Sequence, residues 1–228
     1  MKKIDWTNYL IELVVVFVGI TAAFMLNNWR EDYKERRLEG KYLTSFYRDV
    51  AADSENLQDI IPANEMKRRR VGHFLEKVIN RPNWPVDSAV VIIADILTIH
   101  SYDPQSGTYE SIKNSGSLGI LSDYKLREEL IDYYEGLQEV SDKERVYRQW
   151  LDAFAIPFIY ENVDIMNQET RSEIAMRSYR FSNLVAGYLA LLSQNLEVYK
   201  VYSRKADILT AKLLAQGGSL GESQQHDD

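Results

Sequence analysis

The chain of 228 residues contains no cysteine. That removes disulfide frameworks, thiol nucleophiles and thiolate metal sites together, and leaves the redox compartment unmarked. Histidine is nearly as scarce: His73, His100 and His226 are the whole supply. No two histidines stand at i,i+4, and the Glu-x-x-His spacing of di-iron bundles is missing. His73-x-x-Glu76 is a single pair of a kind common on helix surfaces. The Ser/Gly turn around Ser115 to Gly119 lacks the Gly-Lys-Ser/Thr ending of a phosphate loop, and Lys113 precedes the glycines. Ser111 has no histidine at a fixed spacing to act as its base. The chain therefore offers no catalytic, cofactor-binding or metal-ligating constellation. A formal net charge of -7 argues against a nucleic-acid surface. With 45% hydrophobic and 27% charged residues the composition is that of a folded protein.

Long hydrophobic runs are also rare, with one exception. From Tyr9 to Leu26 the chain is almost wholly apolar and free of proline. Trp6 and Tyr9 stand at one end and Trp29 at the other. At ~1.5 Å per residue, a helix from Trp6 to Trp29 spans roughly 35 Å, slightly more than a hydrocarbon core of about 30 Å. The aromatic residues then fall at the two headgroup zones, as interface aromatics do. A cleaved signal peptide is the first competing reading, since Met1-Lys2-Lys3 and Thr21-Ala22-Ala23 resemble its ends; Glu12 inside the run and the length of the run oppose it. A buried core helix and a helix lying in the membrane surface are the others, and the surface helix needs a broad polar face that is missing.

The polar and small residues of this run share one side. At 100° per residue, Glu12, Gly19, Ala23, Leu26 and Arg30 fall in a narrow arc, with Val16 and Asn27 at its edge. Gly19 and Ala23 form a small-x-x-x-small pair that lets another helix approach. An ionisable residue within a span usually faces protein or water. Glu12, Gly19, Ala23 and Asn27 are thus a candidate transmembrane packing face, in a homo-oligomer or against a partner membrane protein. Two alternatives stay open: Glu12 reaching the headgroups about a turn away, and a small ion- or proton-conducting homo-oligomer with Glu12 in the membrane path.

Ile11-Glu12-Leu13-Val14-Val15-Val16-Phe17-Val18-Gly19-Ile20, closing in Leu26-Asn27-Asn28-Trp29-Arg30-Glu31, resembles an uncharacterised bacterial family of N-terminally anchored helical proteins. The likeness extends more loosely to Ser111-Ile112-Lys113-Asn114-Ser115-Gly116-Ser117-Leu118 and to Leu130-Ile131-Asp132-Tyr133-Tyr134. It implies a single-pass protein of the bacterial inner membrane, with the N-terminus inside and a periplasmic domain favoured over a cytoplasmic one. The short Met1-Lys2-Lys3 tail departs from the longer basic tails of such relatives. No activity comes with the resemblance.

Beyond the anchor, Leu38, Tyr42, Phe46, Val50, Leu57 and Ile61 recur at helical spacing. They predict that the transmembrane helix continues as a stalk, its charges from Arg30 to Glu39 forming i,i+4 pairs. Pro62 predicts a bend or a new first turn. A second helix to about Asn80 carries Lys67-Arg68-Arg69-Arg70, expected as a solvated face. Arg81 to Pro85 is a loop, and Val86 to Ile99 a short buried helix capped by Asp87 or Ser88. Thr108 to Ser115 is a helix stopped by Gly116. Asp123 to about Tyr160 is a long helix that Pro157 kinks or ends. Phe181 to about Leu214 keeps a near-heptad rhythm suited to a coiled-coil seam, with Asn195 inside it. The fifteen tyrosines suit seams with packed rings and wet hydroxyls.

The expected fold is all-α: a single N-terminal transmembrane helix continuing into a long stalk, followed by an antiparallel helical bundle. Its divisions are 1–30 for the tail and span, 31–215 for the helical extramembrane domain and 216–228 for a disordered tail. The expected role is a non-enzymatic scaffold, sensor-like or accessory subunit that meets the lipid bilayer and other proteins through its helices.

Overall fold

The computed structural model describes residues 6–80 and 83–224. It is almost entirely helical. The first helix, α1, is Trp6–Asn80. α2 is Ser88–Leu97, α3 Gly107–Asn114 and α4 Tyr124–Trp150. A π-helical turn, Leu151–Ala155, joins α4 to α5, Ile156–Asn162. A two-residue hairpin follows, β1 Val163–Asp164 pairing antiparallel with β2 Glu169–Thr170. The short α6, Glu173–Met176, leads into α7, Tyr179–Gln224. α7 is helical past the expected tail boundary, and Gln216 hydrogen-bonds Asp123 at the start of α4.

The core lies where α1, α4 and α7 meet. Leu43, Phe46, Val50 and Leu57 of α1 pack with Leu126, Leu130, Tyr133 and Leu137 of α4 and with Tyr199, Tyr202, Leu209 and Leu213 of α7. Further along, Val71 and Phe74 of α1 meet Ile92 and Ile96 of α2 and Phe181, Val185 and Tyr188 of α7. Early α1 thus lies against late α7, and the two helices run in opposite directions. Burying each such side chain is worth about 1.5–3 kcal/mol, which holds a long helix that local propensity alone would leave marginal.

Of the two helix prolines, Pro62 behaves otherwise than expected. α1 passes through Pro62 without ending. Pro62 and Gln58, whose carbonyl loses its usual donor, are both on the exposed side, where water can serve the carbonyl. Leu57, Ile60, Asn64 and Lys67 are buried on the other side and keep the helix in place. Pro157 stands in the first turn of α5, where a missing N–H costs no helical bond. The π turn before it separates α4 from α5, with Ile156 N–H donating to Leu151 O.

Gly116 does stop α3, at φ +69°. Gly116 N–H donates to Lys113 O and Ser117 N–H to Ile112 O, both at 3.0 Å, the paired closure of a Schellman motif. Asp123 caps α4 by accepting from Leu126 N–H at 3.0 Å. α2 is not capped by the side chain of Asp87; it grows instead from a turn in which Ser88 N–H donates to Pro85 O at 3.0 Å.

α4 and α7 approach closely at Gly136, where a Cβ would meet the hydroxyl and ring of Tyr202. This explains a glycine in the middle of a helix, a residue that costs about 1 kcal/mol there relative to alanine. Gly136→Leu is expected to lower stability by about 1–3 kcal/mol despite its better helix propensity, read as a fall in the urea midpoint of the solubilised full chain. An unchanged or higher midpoint would show that the α4–α7 contact yields without cost.

Candidate functional site

Two features of α1 bear on function. The first is its apolar N-terminal stretch. The large apolar side chains from Leu10 to Leu26 are each more than half exposed, up to 70% at Phe17. None of the stretch is buried by the rest of the chain, and it is the one helix among the described residues long and apolar enough to cross a membrane. The buried-core-helix reading therefore does not describe this structure. Nothing lies within 4 Å of a Cβ built on Gly19, and Glu12 and Ala23 are exposed. Asn27 Nδ2 donates to Glu31 Oε1 at 3.3 Å, and Trp29 lies 6.4 Å from Tyr33, ring to ring. The side chains of Trp6 and Tyr9 lie outside the described residues.

The second feature is a row of polar side chains set into the apolar stripe of the same helix. Glu39, buried, accepts from Ser122 N–H and Oγ–H, both at 2.7 Å. Asp49 accepts from Thr108 N–H at 3.3 Å. Asp53 is fully buried and accepts from Gln105 N–H and from the Tyr133 hydroxyl, each at 2.8 Å. Asn64 donates to His100 O at 3.0 Å. Lys67, buried, donates to Thr98 O and Asp95 O, the C-terminal carbonyls of α2, where a cation is favoured. Arg70 grips the Asp95 carboxylate with two bonds of 2.6 and 2.8 Å. One face of α1 thereby holds residues 95–122, half of which lie outside any helix and have no sheet to satisfy their backbone.

α4 and α7 complete the clasp. Glu144, buried, accepts from Tyr102 N–H at 2.8 Å, from the Tyr199 hydroxyl at 2.5 Å and from Arg148 at 3.0 Å. The hydroxyls of Tyr102 and Tyr133 are 3.0 Å apart. Tyr147 and Tyr188 donate to the α2 carbonyls of Ile96 and Asp95. The hydroxyls of Tyr102, Tyr133, Tyr147, Tyr188 and Tyr199 thus bond inside the protein and are not wet as expected, and burial pushes the Tyr133, Tyr199 and Tyr102 hydroxyls well above their ordinary range. The Tyr134 hydroxyl is buried without a partner among the described residues.

Burial raises the Asp53 carboxyl above its usual range, against the opposing pull of its bonds to Gln105 and Tyr133. Burial lowers the Lys67 ammonium, with Asp95 opposing. His100 is also lowered, by burial and by Lys67. Asn64, His100, Glu144, Tyr188 and the seam residue Asn195 line a cavity of ≈ 20 Å³, room for about one water.

The expected i,i+4 ion pairs from Arg30 to Glu39 are absent among the described residues. That spacing joins Arg30 to Lys34, Glu31 to Glu35, Glu35 to Glu39 and Arg37 to Lys41, like to like, against a single opposite pair, Asp32 with Arg36. The Lys67-Arg68-Arg69-Arg70 run is not one solvated face either: Lys67 is inside, Arg70 clamps Asp95, and Arg68 and Arg69 are exposed. His73 and Glu76 approach to 3.9 Å with both side chains mostly in solvent, and no cluster of metal-binding side chains occurs among the described residues.

A profile for DUF6090, a family of unknown function, matches residues 12–147, more than half of the chain. The chain belongs to this family. Comparison with curated proteins and with solved structures finds no match. The stretch matched to DUF6090 begins at Glu12, contains every buried polar residue that α1 lends to the clasp, and includes Glu144; it stops short of α7, which supplies the opposite wall of the core. Sequence reasoning missed the clasp, though a signal was present. Glu39, Asp53, Lys67 and Glu144 occupy stripe positions otherwise filled by Leu, Val, Phe and Tyr, and a charge there must be buried and partnered.

Asp53→Ala leaves Gln105 N–H without its acceptor and the Tyr133 hydroxyl with Tyr102 as its one remaining partner, and is expected to cost about 1–3 kcal/mol. Asp53→Asn keeps one acceptor and the shape. Because the folded state holds the Asp53 proton more tightly than the unfolded state, its ionisation opposes folding. That penalty is absent below the unfolded value of about 4 and grows as pH rises towards the folded one. The stability of Asp53→Asn relative to wild type should therefore improve between pH 4 and pH 7 in urea melts. A pH-independent difference would show that the carboxyl titrates alike in both states.

Proposed function

We propose that the chain is a single-pass, non-enzymatic membrane subunit, a scaffold, sensor-like or accessory protein that works through helix-mediated contacts. Its span is Leu10 to Leu26, its interface aromatics Trp6, Tyr9 and Trp29, and its packing face Glu12, Gly19, Ala23 and Asn27. The remaining helices form an antiparallel bundle, with α7 as its coiled-coil-like seam. The observation that carries this reading is the unbroken course of α1, from an apolar stretch that no part of the chain covers into the centre of the packed core. Glu12 is the only ionisable residue between Leu10 and Leu26, and such a residue usually faces protein or water. Because α1 runs on from the span into the core, its ladder lacking a donor only at Pro62, a rotation or shift imposed on the span would be passed to the row that holds residues 95–122.

The protein sits in a bacterial inner membrane, N-terminus inside and helical domain exported. An uncleaved N-terminal span with a basic tip at Lys2 and Lys3 acts as a signal anchor. Ser111→Cys, at an exposed position of an otherwise cysteine-free chain, supplies a single labelling site. A membrane-impermeant maleimide added to outer-membrane-permeabilised cells should label it fully; labelling only after lysis would place the domain in the cytoplasm.

Association is tested by the native mass of the gently solubilised complex, with its chains identified. Glu12→Ala and Gly19→Leu should each shift the mass towards the free chain. Unchanged assembly in both variants would sink the packing-face mechanism.

A further inference from the structure

The packing face does not end at the membrane. At about 100° per residue along α1, Arg30, Lys34, Arg37, Lys41 and Arg48 fall within an arc of roughly 60° that prolongs the Glu12, Gly19 and Ala23 line. All five are exposed, and none makes an ion pair among the described residues. The acids of the same stretch lie elsewhere: Glu31, Glu35 and Glu39 follow the other side, where Glu39 enters the core. Leu43, Phe46, Val50 and Leu57, which pack inward, lie on the opposite side of α1 from the five cations. The first acids to return to the cationic face are Glu55 and Asp59. One side of α1 is therefore small and weakly polar from Glu12 to Ala23, then purely basic to Arg48.

We infer that this continuous face receives a different membrane-anchored chain, one whose helix leaves the bilayer carrying carboxylates, and not a second copy of this chain. The inference rests on the packing-face reading above. Two copies inserted the same way lie at the same depth, so their registers are fixed by the membrane. With the two helices near parallel, packing Gly19 and Ala23 against their equivalents at 8–10 Å brings Arg30, Lys34, Arg37, Lys41 and Arg48 against themselves, with no axial shift available to relieve the repulsion. The same contacts weigh against a conducting homo-oligomer built on Glu12. Anionic headgroups could neutralise Arg30 and Lys34. Lys41 and Arg48 stand about 17 and 27 Å further along a helix rising ~1.5 Å per residue, beyond a Debye length of about 8 Å. An acidic helix running beside α1 meets all five.

The test uses full-length chains in phosphatidylcholine vesicles, labelled with donor and acceptor dyes through Ser111→Cys. The probe is a charge-reversed copy carrying Arg30→Glu, Lys34→Glu, Arg37→Glu, Lys41→Glu and Arg48→Glu, which shares the span and changes only exposed positions; a version with glutamine at the five sites guards against misfolding. Wild type should pair with the reversed copy about tenfold more readily than with itself at low salt, and the preference should vanish at high salt. The glutamine version should pair with itself more readily than wild type does. Equal pairing of wild type with either copy, with Gly19→Leu still weakening both, would overturn the inference while leaving the packing face intact. Absence of pairing in every mixture would overturn the packing-face reading itself, and the inference with it. Loss of the preference in vesicles rich in phosphatidylglycerol would assign the basic face to lipid and overturn the inference as well.

Discussion

The structure depends on one helix meeting two unlike demands without a break. From Leu10 to Leu26 α1 has no protein around it, so its backbone groups must be satisfied within the helix itself. From Glu39 to Phe74 it is the central wall of a core, and one of its faces must bury apolar side chains. A continuous helix meets both demands because its hydrogen bonds are local in either setting. The proline at 62 is tolerated for the same reason: it falls on the side where water, and not the core, meets the carbonyl it leaves unbonded.

The row of buried polar groups follows from that arrangement. α1, α4 and α7 form a core with room for a further segment, and residues 95–122 fill it largely as loop and short helix. Loop backbone inside a protein must find partners, and here the partners are side chains of the long helices. Each carboxylate is held by donors, and Lys67 sits at the C-terminal carbonyls of α2. The arrangement gives the segment one seating, because moving it by a residue would orphan several buried groups together. That specificity, more than net stability, is what buried polar groups of this kind supply.

The helices were legible in the sequence, and so was the exposed apolar stretch, because period and length are local properties. Gly116 and Asp123 were legible as stop and start because their chemistry acts within a turn. Pro62 was misread for a related reason. Proline opposes helix by removing one bond, and only the tertiary setting shows that Pro62 faces solvent. The tyrosine hydroxyls were misplaced because their acceptors, Asp53 and Glu144, lie on other helices far away in sequence. Yet the acids themselves were conspicuous: a carboxylate in the series Phe46, Val50, Asp53, Leu57 is a local contradiction that only a long-range partner resolves.

The same logic applies to the segment from Arg30 to Lys41, where the contradiction remains unresolved within the chain. Four like-charge pairs at i,i+4 stand against one opposite pair, Asp32 with Arg36. Each like pair costs an isolated helix a few tenths of a kcal/mol. A segment selected only as a spacer would gain by interleaving its signs, since the same residues in another order would stabilise the helix. Separating them instead places Arg30, Lys34, Arg37 and Lys41 on the side that continues the Glu12 and Gly19 line, with Arg36 off it, and Glu31, Glu35 and Glu39 towards the side leading to the Glu39 clasp. Departures from local consistency of this kind mark functional surfaces more often than neutral ones. At Asp53 the compensating group lies inside the protein, whereas Arg30, Lys34, Arg37 and Lys41 meet no ion-pair partner among the described residues, and the proposed acidic helix alongside α1 would supply one.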